Sequence, residues 1–208
     1  MSGNSLYSPL AGDTCVCLFA VDRVLTGMQQ RRGAGGGPMC GGNTHYPNVV
    51  DPAYDGGLLS LSEAAAHLES TPCSGCLVGA IASGALGGRG STLRRVLYQT
   101  LTKPPLLGIG SGVSDHSKGK SKLWSSATMV RSPLVVNRDS ETLQETVRKI
   151  VRWYERATAQ PIANRAVYYF DDSRARVRSL TNTGFNARQV SCATRDGSRV
   201  DVGLCGAT

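Results

Sequence analysis

The sequence is poor in aromatic residues, histidine and long apolar runs. Aromatic residues make up 6% of the 208 residues, and only 3 residues are histidine. No apolar run approaches the ~20 residues that cross a bilayer. The first ten residues also lack a basic stretch followed by an apolar one, which a secretory signal would need. We therefore expect no contact with a membrane and no secretion.

The remaining composition is globular and rich in loops. Hydrophobic residues make up 40% of the chain and charged residues 18%, with 25 glycines and 9 prolines. These values exclude disordered, collagen-like and coiled-coil classes. At this length one domain can bury a sizeable core, so we expect a single domain over residues 1–208.

The cysteines are odd in number, and several lie in apolar runs where a thiol packs as a small hydrophobic group. The seven positions are Cys15, Cys17, Cys40, Cys73, Cys76, Cys192 and Cys205. This pattern favours reduced structural thiols and a cytoplasmic protein. Cys73 and Cys76 have the spacing of a zinc knuckle or a redox pair. Neither is favoured, because no second ligand pair follows and Cys76 leads into a predicted strand.

The charge is strongly positive, with 23 basic and 15 acidic residues and a formal net charge of +8. Such a field attracts phosphorylated or other anionic partners, although a solvated basic surface without a dedicated partner is an equally good interpretation. A nucleic-acid-binding module is not favoured. Single-strand binders usually interleave aromatic with basic residues, and the aromatic residues here are few and lie mostly in one predicted buried strand.

Apolar runs alternate with amphipathic stretches along the chain. Runs typical of buried parallel strands occupy residues 15–21, 76–82 and 166–170, with a shorter one at 188–192. Helical spacing begins at Ser60 and Ser91 and is clearest over Glu141–Thr158. The alternation predicts an α/β fold, a Rossmann-like three-layer sandwich around a mostly parallel sheet.

Two segments interrupt this pattern. Residues 28–59 are rich in glycine and predict a surface insertion without regular helix or strand, and residues 103–126 predict a polar loop. Neither segment has the composition of an independent cap domain, so we expect an open site.

Polar residues follow three of the predicted strands. Asp22 follows the first, Ser83 and Gly84 follow the second, and Asp171 and Asp172 follow the third. Ligands of parallel α/β sheets bind beyond the carboxyl ends of the strands. Carboxylate oxygens suit Mg²⁺, and a hydroxyl beside a glycine amide suits a phosphate. The structural alternatives are a turn or helix cap for the aspartates and an ordinary loop for Ser83.

Taken in order, these motifs resemble those of the haloacid dehalogenase (HAD) superfamily, whose members are mostly Mg²⁺-dependent phosphatases and phosphotransferases. The resemblance spans residues 15–205 and includes the run from Ala20 to Gly27, AVDRVLTG. It implies that Asp22 is the general acid and base, and that Asp22, Asp171 and Asp172 hold Mg²⁺. It also places the aspartate nucleophile at position 20, where this chain has alanine.

The family also has a lysine that holds phosphate charge near the start of the helix before the acidic strand. Leu143 occupies about that place here, and Lys149 lies two turns later. Lys120 and Lys122 from the preceding loop are alternatives. With Ser83 and Gly84, Lys149 completes the expected phosphate-binding set.

The function expected from this resemblance is Mg²⁺-dependent hydrolysis of phosphomonoesters, with a phosphorylated substrate that an open site allows to be macromolecular. Ala20 predicts no turnover, because a methyl group cannot attack phosphorus. If Ala20 is an engineered change, the natural protein is a phosphatase. If Ala20 is native, a pseudo-phosphatase that binds or regulates phosphorylated partners is the alternative.

Overall fold

The computed structural model describes residues 14–27, 40, 42–54, 57–103, 124–136, 141–190 and 205–207. Its strands are β1 (Val16–Ala20), β2 (Thr26–Gly27), β3 (Thr44–Asp51), β4 (Gly57–Leu61), β5 (Leu77–Ile81), β6 (Trp124–Ser126), β7 (Leu134–Val136), β8 (Val167–Asp171) and β9 (Asn186–Gln189). Its α-helices are α1 (Glu63–Ala66), α2 (Thr92–Leu101), α3 (Leu143–Thr158) and α4 (Arg174–Arg178). Short 3-10 turns occupy Pro52–Tyr54, Leu68–Ser70, Pro72–Gly75 and Asn164–Ala166.

The main sheet has six strands in the order β6-β7-β5-β1-β8-β9. Every pairing within it is parallel. The predicted α/β class with a mostly parallel sheet is confirmed, and helices between successive strands are consistent with a Rossmann-like arrangement. β1 lies between β5 and β8, so the three strands that precede the predicted site are neighbours.

A second, antiparallel sheet has the order β2-β4-β3. It falls largely within residues 28–59, where we predicted an insertion without regular structure, so that prediction is wrong for β3 and the start of β4. Prolines at 47 and 52 obscure the strand pattern of β3, and the register of the β3–β4 pair shifts between Tyr46 and Val50. The sheet follows directly after the turn that contains Asp22.

The helices begin near the predicted caps. Ser91 accepts a hydrogen bond from the Arg94 amide at the start of α2, as the sequence predicts. α3 begins at Leu143 with a capping box between Thr142 and Glu145. α1 is the exception. Its cap is Ser62 rather than Ser60, and it has only four residues because Leu61 still belongs to β4.

The core forms on both faces of the main sheet. Val16, Leu18 and Val78 are fully buried in the central strands. The equally buried Tyr154 of α3 donates a hydrogen bond from its hydroxyl to the carbonyl of Val78. This contact fixes the long helix across the face of β5.

Six of the seven cysteines form disulfides, pairing Cys15 with Cys76, Cys17 with Cys73 and Cys40 with Cys205. The prediction of reduced structural thiols is therefore wrong for these six. Burial in apolar surroundings suits a half-cystine as well as a thiol, so the composition of the runs could not distinguish them. Two of the disulfides join β1 and the residue just before it to the segment just before β5.

Several predictions lie outside the described residues: Lys120 and Lys122, Cys192, and most of the polar loop at 103–126. The end of that loop differs from the prediction, because residues 124–126 form the edge strand β6. In the part of the chain that the structure describes, no helix has both the length and the apolar character that a bilayer crossing requires.

Candidate functional site

The ends of β1, β5 and β8 bring the predicted residues to one edge of the main sheet. The three strands are parallel neighbours, so their carboxyl ends face the same side. Asp22 follows β1 and is close enough to the Ser83 backbone and to the Asp171 carboxylate for both to shift its pKa. The proposed convergence of three distant chain segments is therefore present in the structure.

Asp22 lies in a turn where its carboxylate is largely removed from solvent. Burial raises its pKa above the ordinary value, against the lowering effects of Arg176, the Ser83 backbone and Arg23, while Asp171 adds to the increase. Its Oδ1 atom is buried and has no hydrogen-bond partner among the described residues. Burial thus favours the protonated form of Asp22, and the neighbouring arginines and the Ser83 amide favour the carboxylate.

Ala20 is the last residue of β1 and is 5% exposed. Its carbonyl accepts a hydrogen bond from the Leu25 amide, which helps to close the turn that presents Asp22. The methyl group offers no lone pair to a metal or to phosphorus. The position implied for the nucleophile is thus structurally intact and chemically inert.

The acidic pair at the end of β8, Asp171 and Asp172, contacts an arginine. Arg176 Nε lies 2.7 Å from Asp171 Oδ2, and Arg176 Nη2 lies 2.9 Å from Asp172 Oδ1. Asp171 is fully buried, and its carboxylate also accepts hydrogen bonds from the Tyr169 hydroxyl and the Ser173 amide. Both oxygens of Asp171 are therefore satisfied within the chain.

The second aspartate of the pair is less completely satisfied. Burial raises the pKa of Asp172 to about 6, with further increases from the hydrogen bond and charge of Asp171. Arg176 and Arg23 oppose this shift, and Arg23 Nη1 lies 4.0 Å from Asp172 Oδ2. Burial lowers the pKa of Arg176, but the hydrogen bond and charge of Asp171, with further contributions from Tyr169 and Asp172, together raise that pKa above its ordinary value.

Sequence reasoning missed Asp51 and Tyr54. Asp51 is the last residue of β3 and is fully buried. Its Oδ1 atom accepts a hydrogen bond from the Ala53 amide, whereas its Oδ2 atom has no partner among the described residues. Burial, with a smaller contribution from Asp22, raises its pKa to about 6. The signal was present in the sequence, since Asp51 follows the apolar pair Val49-Val50 just as Asp171 follows its strand.

Tyr54 connects the second sheet to the turn after β1. Its hydroxyl accepts a hydrogen bond from the Arg23 amide at 2.9 Å and donates one to the Thr26 carbonyl at 3.0 Å. Arg23 adopts a left-handed backbone conformation with φ of 62°. Tyr54 thus stabilises a strained turn and thereby positions Asp22.

The segment after β5 is held by its own side chains. Arg94 donates from Nη2 to the Ala85 carbonyl at 2.6 Å, and Ser91 donates to the Leu86 carbonyl at 2.6 Å. Gly84 is exposed, and a Cβ there would meet nothing within 4 Å. No close backbone approach requires glycine at position 84, so the contacts of this segment do not themselves indicate a phosphate cradle.

Lys149 lies apart from the edge of the main sheet that carries Asp22, Asp171 and Asp172, which we call the acidic edge. Its ammonium group is 2.9 Å from Glu141 Oε1 and 3.1 Å from the Ala127 carbonyl. Ala127 follows β6, which is three positions from β1 in the sheet order. The structure therefore does not bring Lys149 together with Asp22 and Asp171.

As they stand, the residues of the edge do not fit the predicted Mg²⁺. The unpartnered Oδ1 of Asp22 suits a cation, but the oxygens of Asp171 already bind Arg176, Tyr169 and Ser173. Within the described segments, no three histidine, cysteine, aspartate or glutamate side chains form a group that could hold a metal ion. The guanidinium of Arg176 provides the positive charge that balances the acidic pair.

Comparison of the chain with protein-family models, with curated proteins and with solved structures gives no match. The contacts at the sheet edge are therefore the basis for the function proposed below.

Proposed function

We propose that this chain is a non-hydrolysing domain of HAD type, a phosphatase-like scaffold that binds phosphorylated partners without turning them over. The observation that carries the proposal is the two-pronged contact of Arg176 with Asp171 and Asp172 beside the end of β1. This contact fills the acidic pair with a side chain of the same protein. Of the two interpretations of Ala20, it favours a native pseudo-phosphatase over a disabled enzyme.

Two departures from the family pattern act together. Ala20 supplies no nucleophile, and loss of a nucleophile that acts in a catalytic unit can reduce the rate on the order of a million-fold. Arg176 independently removes Asp171 from metal binding. A single engineered substitution would leave the metal-binding pair free, whereas both changes together are expected of a site that no longer hydrolyses.

Mg²⁺ binding is part of this proposal only when Arg176 does not contact the acidic pair. Asp22, Asp171 and Asp172 would hold the ion once Arg176 no longer contacts the acidic pair. We therefore propose that the chain with Arg176 in place binds Mg²⁺ no more tightly than an ordinary acidic surface does.

The proposed partner is a phosphorylated macromolecule at the open edge of the sheet. The net charge of +8 favours anionic partners in general. Arg23 lies at the edge with 45% of its side chain exposed, and it is positioned to meet a phosphate group. The second candidate, a basic nucleic-acid-binding module, has less support, because aromatic residues make up 6% of the chain.

The disulfides remove the argument for a cytoplasmic location, because that argument was based on reduced cysteines. Disulfides form and persist in oxidising environments and are rare in the cytosol. With six cysteines paired, we propose that the domain matures in an oxidising compartment.

The hydrolysis experiment compares four proteins: wild type, Ala20→Asp, Ala20→Asp with Arg176→Met, and that double variant with Asp22→Asn. Each is assayed on p-nitrophenyl phosphate with and without Mg²⁺. We expect no metal-dependent turnover from wild type or Ala20→Asp. Turnover is expected only in the double variant, with Asp22→Asn abolishing it.

Two results would count against the proposal. Metal-dependent hydrolysis by the wild type would make it a working phosphatase, and a large gain from Ala20→Asp alone would make it a phosphatase that lacks only its nucleophile.

Partner binding is tested with a labelled phosphopeptide and with the unphosphorylated peptide of the same sequence. Arg23→Gln is expected to weaken the binding of the phosphopeptide and to leave the binding of the unphosphorylated peptide unchanged. Arg178→Gln serves as the matched control.

A further inference from the structure

A cavity of about 460 Å³ lies on one face of the main sheet. Its roof is the segment from α1 to the turn at Pro72–Gly75, and its floor contains Phe19, Tyr168 and Phe170. Known small-molecule sites have volumes of roughly 300–1,000 Å³ and mainly apolar linings. The cavity has the size of such a site.

The roof is tied to the floor by covalent bonds. A disulfide joins Cys17 of β1 to Cys73, and a second joins Cys15, just before β1, to Cys76. The roof itself consists of a four-residue helix and two 3-10 turns, so no long helix packs on this part of the sheet. The disulfides therefore limit how far the roof can move towards or away from the strands, and the chain cannot simply close the space.

The floor of the cavity is flat and aromatic. Phe19 and Phe170 pair in register on neighbouring strands, and their rings stack at an angle of 16° with centroids 5.3 Å apart. Tyr168 lies two residues from Phe170 and so on the same face. Tyr168 and Phe170 are only half-buried, although β8 has a strand on each side. Part of this ring surface is thus uncovered by the described residues.

The described lining offers no charge that a ligand could use. The Thr71 hydroxyl donates a hydrogen bond to a backbone carbonyl at 2.7 Å and accepts one from a backbone amide at 3.3 Å. Gln189 donates from Nε2 to the Asp172 carbonyl at 2.9 Å. Arg188, the one charged residue of the described lining, is also engaged in an interaction of its own. An ionised ligand would therefore lose hydration here without gaining a counter-charge, which is costly.

The cavity is separate from the acidic edge. Side chains alternate between the two faces of a strand. Tyr169 and Asp171, which contact each other, therefore lie on the face opposite Tyr168 and Phe170. The function proposed for the edge does not use the cavity.

We propose that this cavity binds one uncharged aromatic molecule, whose flat rings lie against the Phe19–Phe170 stack and under the disulfide between Cys17 and Cys73. Removal of apolar surface from water is the driving force. Even an apolar cavity of ~150 Å³ binds benzene. Because the disulfides fix the roof before the ligand arrives, little ordering of the protein opposes binding.

The charge of the ligand is tested with two fluorescent probes that have the same rings. N-phenyl-1-naphthylamine is uncharged, and 8-anilinonaphthalene-1-sulfonate carries a sulfonate. We expect the uncharged probe to bind saturably, with one molecule per chain, in fluorescence and calorimetry. The sulfonate should displace it only at concentrations at least about tenfold higher than its uncharged counterpart needs for binding. Displacement at equal or lower concentrations would overturn the choice of an uncharged ligand.

The shape of the ligand is tested with 2-naphthol and decahydro-2-naphthol. The two share a carbon skeleton and a hydroxyl, but only 2-naphthol is flat and aromatic. We expect 2-naphthol to displace the uncharged probe at the lower concentration, because its rings stack on Phe170. Phe170→Leu should reduce this preference. Equal displacement by the two compounds from wild type, or an unchanged preference in folded Phe170→Leu, would overturn the stacking.

Filling the cavity identifies the site. Ala64 lines the cavity and is half-buried, so Ala64→Leu should weaken the uncharged probe and Ala64→Phe should weaken it further. Ala66 is half-buried on the same helix but outside the described lining, so Ala66→Leu is the matched control and should leave binding unchanged. Thermal unfolding identifies folded variants, and Ala64→Leu keeps the test available if Ala64→Phe does not fold.

Four results would overturn the cavity as the site. They are the absence of saturable binding to wild type, several probe molecules per chain, full affinity in a folded Ala64→Leu variant, and equal weakening by Ala64→Leu and Ala66→Leu. None of these results depends on whether the acidic edge hydrolyses phosphate or binds a phosphorylated partner.

Discussion

Arg176 and Asp171 form an ion pair in which the carboxylate is completely buried and the guanidinium is about one-third exposed, with 2.7 Å between Nε and Oδ2. The pair crosses from α4 to the end of β8. It supplies the counter-charge at a position where the sequence alone led us to expect a metal ion.

Removing the arginine is expected to destabilise the fold. Arg176→Met leaves Asp171 buried without its charged partner, which costs about 3 kcal/mol in the free energy of unfolding. Urea unfolding at neutral pH measures the change. Arg178→Met, on the same helix, should stay within about 0.5 kcal/mol of wild type. Equal stability of the two variants would show that the pair contributes nothing.

Without the arginine, the acidic edge is also expected to bind divalent cations. Arg176→Met should show a rise in melting temperature with increasing MgCl₂, because a ligand that binds only the folded state stabilises it. Wild type and Arg176→Met with Asp171→Asn should show no such rise. A similar response from all three proteins would contradict the assignment of Asp171 as a latent ligand.

Asp51 predicts a defined pH dependence of stability. Its pKa is raised to about 6 in the folded protein and is near 3.8 in the unfolded chain, so the folded state binds more protons between these values. Stability from this group is complete below about pH 4 and is lost as the pH rises to about 6. Asp51→Asn is therefore expected to stabilise the protein at about pH 7.5, by an amount on the order of 3 kcal/mol.

The same variant carries its own control. Below about pH 3, Asp51 is protonated in both states, so the advantage of asparagine should disappear there. Chemical unfolding of the two proteins at several pH values gives the difference curve. An advantage that persists at about pH 3, or that is absent at about pH 7.5, would exclude Asp51 as the titrating group.

Tyr54→Phe tests how the turn after β1 is held. The change removes the hydroxyl that binds the Arg23 amide and the Thr26 carbonyl, and unsatisfied buried polar groups cost about 1–3 kcal/mol. We expect about 2 kcal/mol of destabilisation by denaturant unfolding. Tyr98→Phe on α2, whose hydroxyl belongs to a half-buried side chain, should change stability much less.

The disulfides are expected to contribute strongly to stability. Replacing Cys17 and Cys73 together by serine opens a loop with a sequence separation of 56 residues, and the chain-entropy model gives about 4 kcal/mol for a loop of this length. Unfolding without a reducing agent measures the loss. In excess reductant, wild type and variant should unfold alike. A wild type unaffected by reductant would contradict the pairing.

The strands that carry the site were predictable because they are short, apolar and bounded by polar residues. β1 and β5 fall inside the predicted runs, and β8 extends one residue beyond its run, to Asp171. Their adjacency follows from the parallel α/β pattern. The long helix α3 was equally clear, because its apolar positions repeat at helical spacing over sixteen residues.

The features that escaped prediction depend on contacts between distant residues. Disulfide connectivity does not follow from cysteine spacing. The β3–β4 pairing depends on tertiary packing that proline and glycine disguise locally. The contact of Arg176 with the acidic pair depends on the short helix α4, which places Arg176 four residues from Asp172 and in contact with it.

The position of β1 has a consequence for how the chain assembles. The strand comes first among those of the main sheet, yet it occupies the interior, and Val16 must find Leu77 and then Val167 before both edges are covered. Contacts between residues so far apart form slowly, because a large loop has to close before any pairing energy is gained. Until β8 has been synthesised, β1 offers an apolar open edge, and a growing polypeptide of this kind depends on protection from aggregation.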